Sequence, residues 1–248
     1  MMKKLIFNLV TFTLILPLAQ AQNLTGKEIL QRVDNNMSSE NRIFKSKMIV
    51  HGPRGTRTIE SKTWSVGEEK AFTEYLYPAR EKGTKMLKLD DQLWIFSPST
   101  DRTIQIAGHM LRQSVMGSDM SYEDMMDDAS LTEKYNAEVK ESEMINDRSC
   151  YVVNLTAKTS DVNYFRRVIW IDSERFVPLK EELYAESGKL LKKTELFDIV
   201  KMKDRWFPKK IIYKDMLKKG DGTEFVIADI QSNVEIPEYI FNKGNLRK

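Results

Sequence analysis

The amino-acid sequence predicts a mainly β protein, an antiparallel meander of about eleven or twelve strands opened by one helix. Three observations predict it. Alternating apolar and polar segments recur along the chain at spacings of roughly 10–14 residues, bounded by turn residues. No interval between neighbours holds a helical crossover of the kind that parallel strands need. Only the stretches around residues 24–37 and 110–126 carry apolar side chains at helical spacing. A sheet with so many strands cannot stay small and flat, so it must curl or close.

The chain has 248 residues. Residues 1–21 read as a signal peptide. Lys3 and Lys4 precede an apolar run, and Ala19-Gln20-Ala21 fits the small-x-small cleavage pattern. The apolar run is about a dozen residues, shorter than the roughly 20 a spanning helix needs. No cysteine stands directly after the expected cleavage point, where Gln22 lies, so the sequence does not read as a lipid-anchored precursor. Residues 22–248 are then expected to form one soluble, monomeric domain exported to a periplasm. Basic and acidic side chains, 39 and 36 in the whole chain, nearly balance, which gives no electrostatic case for nucleic acid. Cys150 is the single cysteine, so stability must come from an ordinary core and not from an intrachain disulfide.

The opening helix is marked by Thr25 and Glu28, a capping box, with Ile29, Leu30, Val33 and Met37 on one face. Strands follow in "RIFKSKMIV", "TRTIESKTWSVG", "KAFTEYLYP", "TKMLKL", "QLWIFSP" and "RTIQIAG". After an interruption they resume in "RSCYVVNLTA", "YFRRVIWID", "FVPLKEELYA", "LLKKTELFDIV", "WFPKKIIYKDML" and "TEFVIADIQ". In "YFRRVIWID", Phe165, Arg167, Ile169 and Ile171 share one face. In "LWIF" both faces are apolar, so something covers both, or one face lines an apolar cavity.

The interruption, "LRQSVMGSDMSYEDMMDD" (111–128), holds four methionines and five carboxylates. The acids lack the D-x-D-x-D-G order of a calcium loop, and no metal is expected. Ser121 and Asp124 instead suit the first turn of a short helix over about residues 121–130, with its acids on a solvated face. Met110, Leu111, Val115 and Met116 form one apolar set and Met120, Tyr122, Met125 and Met126 another, hinged at Gly117-Ser118. Methionine adapts to irregular space. Two roles fit equally: a plug for the open side of a curved sheet, or a ligand-facing flap.

Catalytic signals are thin. His51 and His109 lack partners at ligand spacing. Cys150 lies among residues that read as buried and suits a small core hydrophobe. There is no G-x-S-x-G, P-loop or G-x-G-x-x-G. The chain is expected to be no enzyme and to need no cofactor.

The order of signal peptide, helix, "LWIFSPSTDRTIQI", "RQSVMGSDMSYEDM", "RVIWIDSERFVPLKEELY" and "DRWFPKKI" is similar to the outer-membrane lipoprotein-sorting protein family, the LolA-like group of periplasmic proteins. The resemblance spans roughly residues 23–242, and Met116–Met125 is its most specific element. It implies an unclosed antiparallel β-barrel with helices as a lid over the concave face. It also implies an apolar cavity for acyl chains of lipoproteins or lipids, with an inner-membrane transporter and an outer-membrane acceptor as partners. The expected cavity and lid residues are Trp94, Phe96, Ile104, Ile106, Met110, Leu111, Val115, Met116, Met120, Tyr122, Met125 and Met126. An arginine that holds the lid shut is also implied, with Arg102 and Arg112 as candidates. The alternative is a non-catalytic accessory subunit of an envelope transporter or assembly complex. A lipid hydrolase would need Cys150 or His109 to matter.

Overall fold

A computed structural model describes residues 24–37, 41–127 and 130–248. The expected signal peptide and Asp128 lie outside the described residues. Helix α1 (Gly26–Met37) is followed by β1 (Asn41–Gly52), β2 (Gly55–Val66), β3 (Lys70–Tyr77), β4 (Lys85–Leu89), β5 (Gln92–Ser97) and β6 (Arg102–Ile106). Two 3-10 turns (Gly108–Arg112, Val115–Gly117), α2 (Tyr122–Met126) and α3 (Leu131–Lys134) form the interruption. Then come β7 (Tyr135–Val139), β8 (Glu143–Ile145), β9 (Arg148–Ala157), β10 (Arg166–Asp172), β11 (Pro178–Tyr184), β12 (Leu190–Met202), β13 (Arg205–Asp215) and β14 (Gly222–Ser232). The chain ends in 3-10 turns over Glu238–Phe241 and Lys243–Arg247.

All of these strands join one antiparallel sheet, in the order β6-β5-β4-β3-β2-β1-β14-β13-β12-β11-β10-β9-β7, with β8 on the other part of β9. The first and last strands pair in the middle, Met48 opposite Phe225 and Val50 opposite Thr223. The two edges are β6 and β7, and the sheet curls without closing. The segment of residues 107–134 joins those two edges. It must cross the gap between them, and this topology places a lid there. The described sheet has fourteen strands. The two beyond the sequence reading, β7 and β8, lie in the polar run "YNAEVKESEMI", where edge exposure weakens the alternation that marks a strand.

Alternation sorts side chains into an inner and an outer face. On one half of the concave face, Met48, Val50, Ile59, Tyr75, Met86, Leu93, Ile95 and Ile106 pack against Val115, Met120 and Tyr122 of the crossing segment. On the other half, α1 buries Ile29, Leu30 and Val33 against Val153, Leu155, Ile169 and Ile171. Thr25 and Glu28 cap α1 reciprocally, the Thr25 N–H donating to Glu28 Oε2 at 2.8 Å. Gly26 lets the helix sit directly on β7, where a Cβ would fall 2.8 Å from that of Ala137.

The convex face carries its own cores. Phe72, Leu87, Trp94 and Phe96 pack against Ile236, Phe241 and Leu246 of the C-terminal turns. That packing accounts for the doubly apolar "LWIF": Leu93 and Ile95 point inward, Trp94 and Phe96 outward, and both faces are covered. Cys150 is fully buried with Val152, Trp170 and Leu179 on the same side, and burial pushes its thiol up to about 11. Asp172, also fully buried, accepts from Arg148 Nε at 2.8 Å and from the Glu174 and Arg175 N–H groups, each at 3.0 Å, so it orders the β10–β11 turn. Among the described residues, no helix is long and apolar enough to cross a membrane.

Candidate functional site

Between the lid and the concave sheet lies a cavity of about 350 Å³. Its floor is built by β1, β2 and β3, with Phe44, Met48, Ile59 and Tyr75 as apolar members. A hydroxyl stripe, Ser46, Ser61, Thr63, Ser65 and Thr73, runs across the same floor. Most of the stripe satisfies itself: Ser46 Oγ lies 2.9 Å from Ser61 Oγ, and Thr63 Oγ1 lies 2.9 Å from Thr73 Oγ1. Val115, Met120 and Met125 form the roof, and Tyr213 and Phe225 a side wall. A second cavity of about 250 Å³ lies beyond Asp124 and Asp127, lined by Val33, Leu183, Leu196 and Ile211.

The roof is a tight loop followed by a short helix. The N–H groups of Val115 and Tyr122 donate to the Met120 and Gln113 carbonyls at 2.8 and 3.1 Å, and Ser118 N–H donates to Val115 O at 2.9 Å. Met116 adopts the left-handed region (φ 49°) and Gly117 follows at φ 69°. The expected capping box is present: Ser121 and Asp124 cap each other at the start of α2.

Among the described acids of this segment, Asp119, Asp124 and Asp127 do not form a solvated face. They turn inward and fasten the lid to three parts of the sheet. Asp119 is buried, and its carboxylate accepts from Thr223 Oγ1 at 2.8 Å and from the Asp215 N–H at 3.0 Å. Asp124 is ion-paired with Lys192 of β12 and accepts from the Tyr164 hydroxyl. Burial works against the charge on Asp124. Lys192, Tyr164 and the Ser121 N–H outweigh it and hold the carboxyl below its ordinary range. Asp127 bridges Arg167 of β10 and Lys134. Glu181, beside Arg167 on the same inner face, is pushed up by burial. Two cations also hold the loop by its carbonyls: Arg57 donates to Met116 O at 2.8 Å, and Lys218 to Ser118 O at 2.6 Å.

The expected site residues divide accordingly. Val115, Met120 and Tyr122 are buried against the inner wall, with Met110, Leu111, Met116, Met125 and Met126 partly buried around them. Ile106 joins that cluster, and Ile104, 47% exposed, stands at the edge of the sheet. Trp94 and Phe96 belong to the convex core and do not reach the cavity; Leu93 and Ile95 face inward instead, in the apolar cluster packed against the lid beside the cavity. One step of register exchanges the faces, and an apolar run gives no signal of which face is which. Neither lid-holding candidate ties the lid to the barrel. Arg112 is 82% exposed and meets only Glu123, 3.8 Å away in the lid itself, among its described ion pairs. Arg102 is exposed on edge strand β6, opposite Ser97. The ties come from Arg57, Arg167, Lys192 and Lys218. For Arg167 the signal was legible: a guanidinium on the apolar face of Phe165, Ile169 and Ile171 requires a buried partner.

No curated protein matches the chain. A family model described as "Uncharacterized protein"-like matches residues 67–248. Among solved structures, the chain is similar to a domain from Vibrio parahaemolyticus described as outer membrane lipoprotein-sorting, at 24% identity and TM-score 0.78, covering 90% of this chain and 98% of that one. A DUF1329 family protein from Desulfovibrio piger superposes with TM-score 0.81 at 21% identity, covering 89% and 97%. A LolA superfamily protein from Nitrosomonas europaea does so with TM-score 0.73 at 25% identity, covering 90% and 100%. With its model matched over most of the length, the chain belongs to that "Uncharacterized protein"-like family, and its fold is the LolA-type unclosed barrel.

Proposed function

We propose that the protein is a periplasmic carrier that shelters acyl chains of lipoproteins or lipids beneath its lid and carries them toward the outer membrane. The observation behind this reading is the roofed cavity of about 350 Å³ between Val115, Met120 and Met125 and the inner wall. Its size lies within the roughly 300–1,000 Å³ range of small-molecule pockets. Each methylene moved from water into such a space contributes about 0.8 kcal/mol, so a modest length of chain suffices for useful affinity. A methionine roof adapts to chains of different shape and lets them go. Release requires the lid to lift: its ion pairs and hydrogen bonds break, and Val115, Met120 and Tyr122 leave the apolar cluster of the inner wall, where an incoming chain can take their place. The role makes and breaks no covalent bond and uses no cofactor. An inner-membrane transporter and an outer-membrane acceptor are its expected partners.

The test is native mass spectrometry of the protein purified from a periplasm, followed by lipid extraction. Co-purifying lipid or acylated peptide supports the carrier and identifies its cargo. A clean apo mass, unchanged after incubation with lipids and lipopeptides, overturns it.

A further inference from the structure

The cavity ends at a pair of polar atoms that the protein itself leaves unsatisfied. Arg42 of β1 and Ser65 of β2 are direct cross-strand partners, and both line the cavity. Arg42 Nε and Ser65 Oγ are buried and have no hydrogen-bond partner among the described residues. Elsewhere on this floor the hydroxyls pair off, Ser46 with Ser61 and Thr63 with Thr73. Buried polar groups are normally bonded, and an unmet one costs stability, so two adjacent exceptions need a reason.

The surroundings supply it. Arg42 stands between the lidded cavity and a neighbouring one of about 250 Å³ lined by Met202, Phe207 and Ile230. Burial lowers the Arg42 pKa, Glu68 raises it and Arg205 lowers it further, yet a guanidinium stays charged. A permanent cation in a partly dry pocket, with one N–H free and a hydroxyl beside it, matches the oxygens of a carboxylate or phosphate. Immediately along the floor lie Phe44, Met48 and Ile59, which suit a chain attached to such a head.

We propose that Arg42 and Ser65 bind the anionic oxygens, carboxylate or phosphate, at the head of a single-chain lipid whose tail lies in the lidded cavity. The tail assignment rests on the carrier reading; the anion assignment rests on the two unsatisfied atoms.

The test is calorimetric titration of the full chain with dodecanoate, dodecyl phosphate, dodecanol and inorganic phosphate. Both anionic chains are expected to bind about tenfold tighter than dodecanol, the worth of one charged hydrogen bond. Arg42→Met removes that margin and leaves dodecanol binding unchanged, Arg42→Lys keeps part of it, and Ser65→Ala reduces it. Should Arg42→Met fail to fold, Ser65→Ala reads the same margin, because it deletes a hydroxyl that holds nothing in the free protein. Equal affinity for dodecanol and the anionic chains, or a margin that survives Arg42→Met, overturns the head site and leaves the carrier intact. Inorganic phosphate binding without any chain binding means a site for free anion, which overturns the lipid-head assignment together with the carrier. Silence from all four probes overturns both as well.

Discussion

Asp124 of the lid and Lys192 of the sheet form a salt bridge whose side chains are only 11% and 7% exposed. One comes from α2 and the other from β12, so the pair joins the roof to the wall across the concave space. Breaking a buried pair from one side leaves an uncompensated charge and costs about 3–5 kcal/mol, whereas replacing both partners with apolar groups is often close to neutral. Lys192→Met is therefore expected to destabilise by about 3 kcal/mol in chemical denaturation. Adding Asp124→Asn, whose amide still accepts from the Ser121 N–H, should recover most of the loss. A double variant no more stable than Lys192→Met would mean that the pair is not coupled as drawn.

The same bridge sets a pH dependence. Asp124 is depressed in the folded protein below its ordinary value of 3.8, against its own burial and through Lys192, Tyr164 and Ser121. A depressed acid contributes stability that is complete above the unfolded value and is lost as pH falls through the folded one. Glu181 of the wall and Glu123 of the lid run the other way, since burial raises both and acid relieves that cost. The lid must therefore be read locally. Amide exchange over residues 113–126 is expected to stay flat from neutral pH to about pH 5 and to lose protection below roughly pH 4, as carboxylate linkage requires. In Asp124→Asn the lid should exchange faster at neutral pH and lose part of that slope. A wild-type lid equally protected down to pH 3 would contradict the assignment.

Arg57 and Gly117 form a latch at the other end of the lid. Arg57 donates to Met116 O at 2.8 Å, and a Cβ on residue 117 would stand 2.9 Å from the same guanidinium nitrogen. Gly117 also sits at φ 69°, where an L side chain costs about 1–2 kcal/mol. Arg57→Ala is expected to leave global stability within about 1 kcal/mol, because its side chain is exposed, and to speed proteolysis or amide exchange across 113–120. Gly117→Ala should do both: displace Arg57 and lower stability by about 1–2 kcal/mol. Unchanged exchange in Arg57→Ala would move the latch to Lys218 and Asp119 alone.

How far the sequence revealed this site depends on what each residue had to declare. The meander, the first helix and the Ser121–Asp124 cap were legible because they rest on local chemistry: alternation, helical spacing and capping. The lid's apolar side was legible for the same reason. Its acids were misread as solvated, because Asp119, Asp124 and Asp127 find Thr223, Lys192 and Arg167 far away in sequence. Local pattern carries no trace of such pairings except as an oddity, such as a charge on an apolar face. The Arg42–Ser65 pair left no pattern at all. It emerges only when register sets β1 against β2.

Leu93 and Trp94 put that limit to an experimental test. They are adjacent on β5, yet Leu93 belongs to the cluster beneath the lid and Trp94 to the core sealed by Phe241 and Leu246. Trp94→Ala should cost about 3–5 kcal/mol, as large-to-small core changes do. It should leave the affinity for an acyl-chain probe unaltered, because the cavity wall is untouched. Filling the cavity from the floor reverses the outcome. Thr63→Leu intrudes on the lidded space and breaks the bond to Thr73. It should weaken chain binding by at least several-fold for a stability cost of about 1–3 kcal/mol, the range for overpacking and for a stranded buried hydroxyl. Titration and chemical denaturation of both variants check the pair. Lost binding in Trp94→Ala with retained binding in Thr63→Leu would place the acyl chain on the convex side and exchange the roles of the two faces.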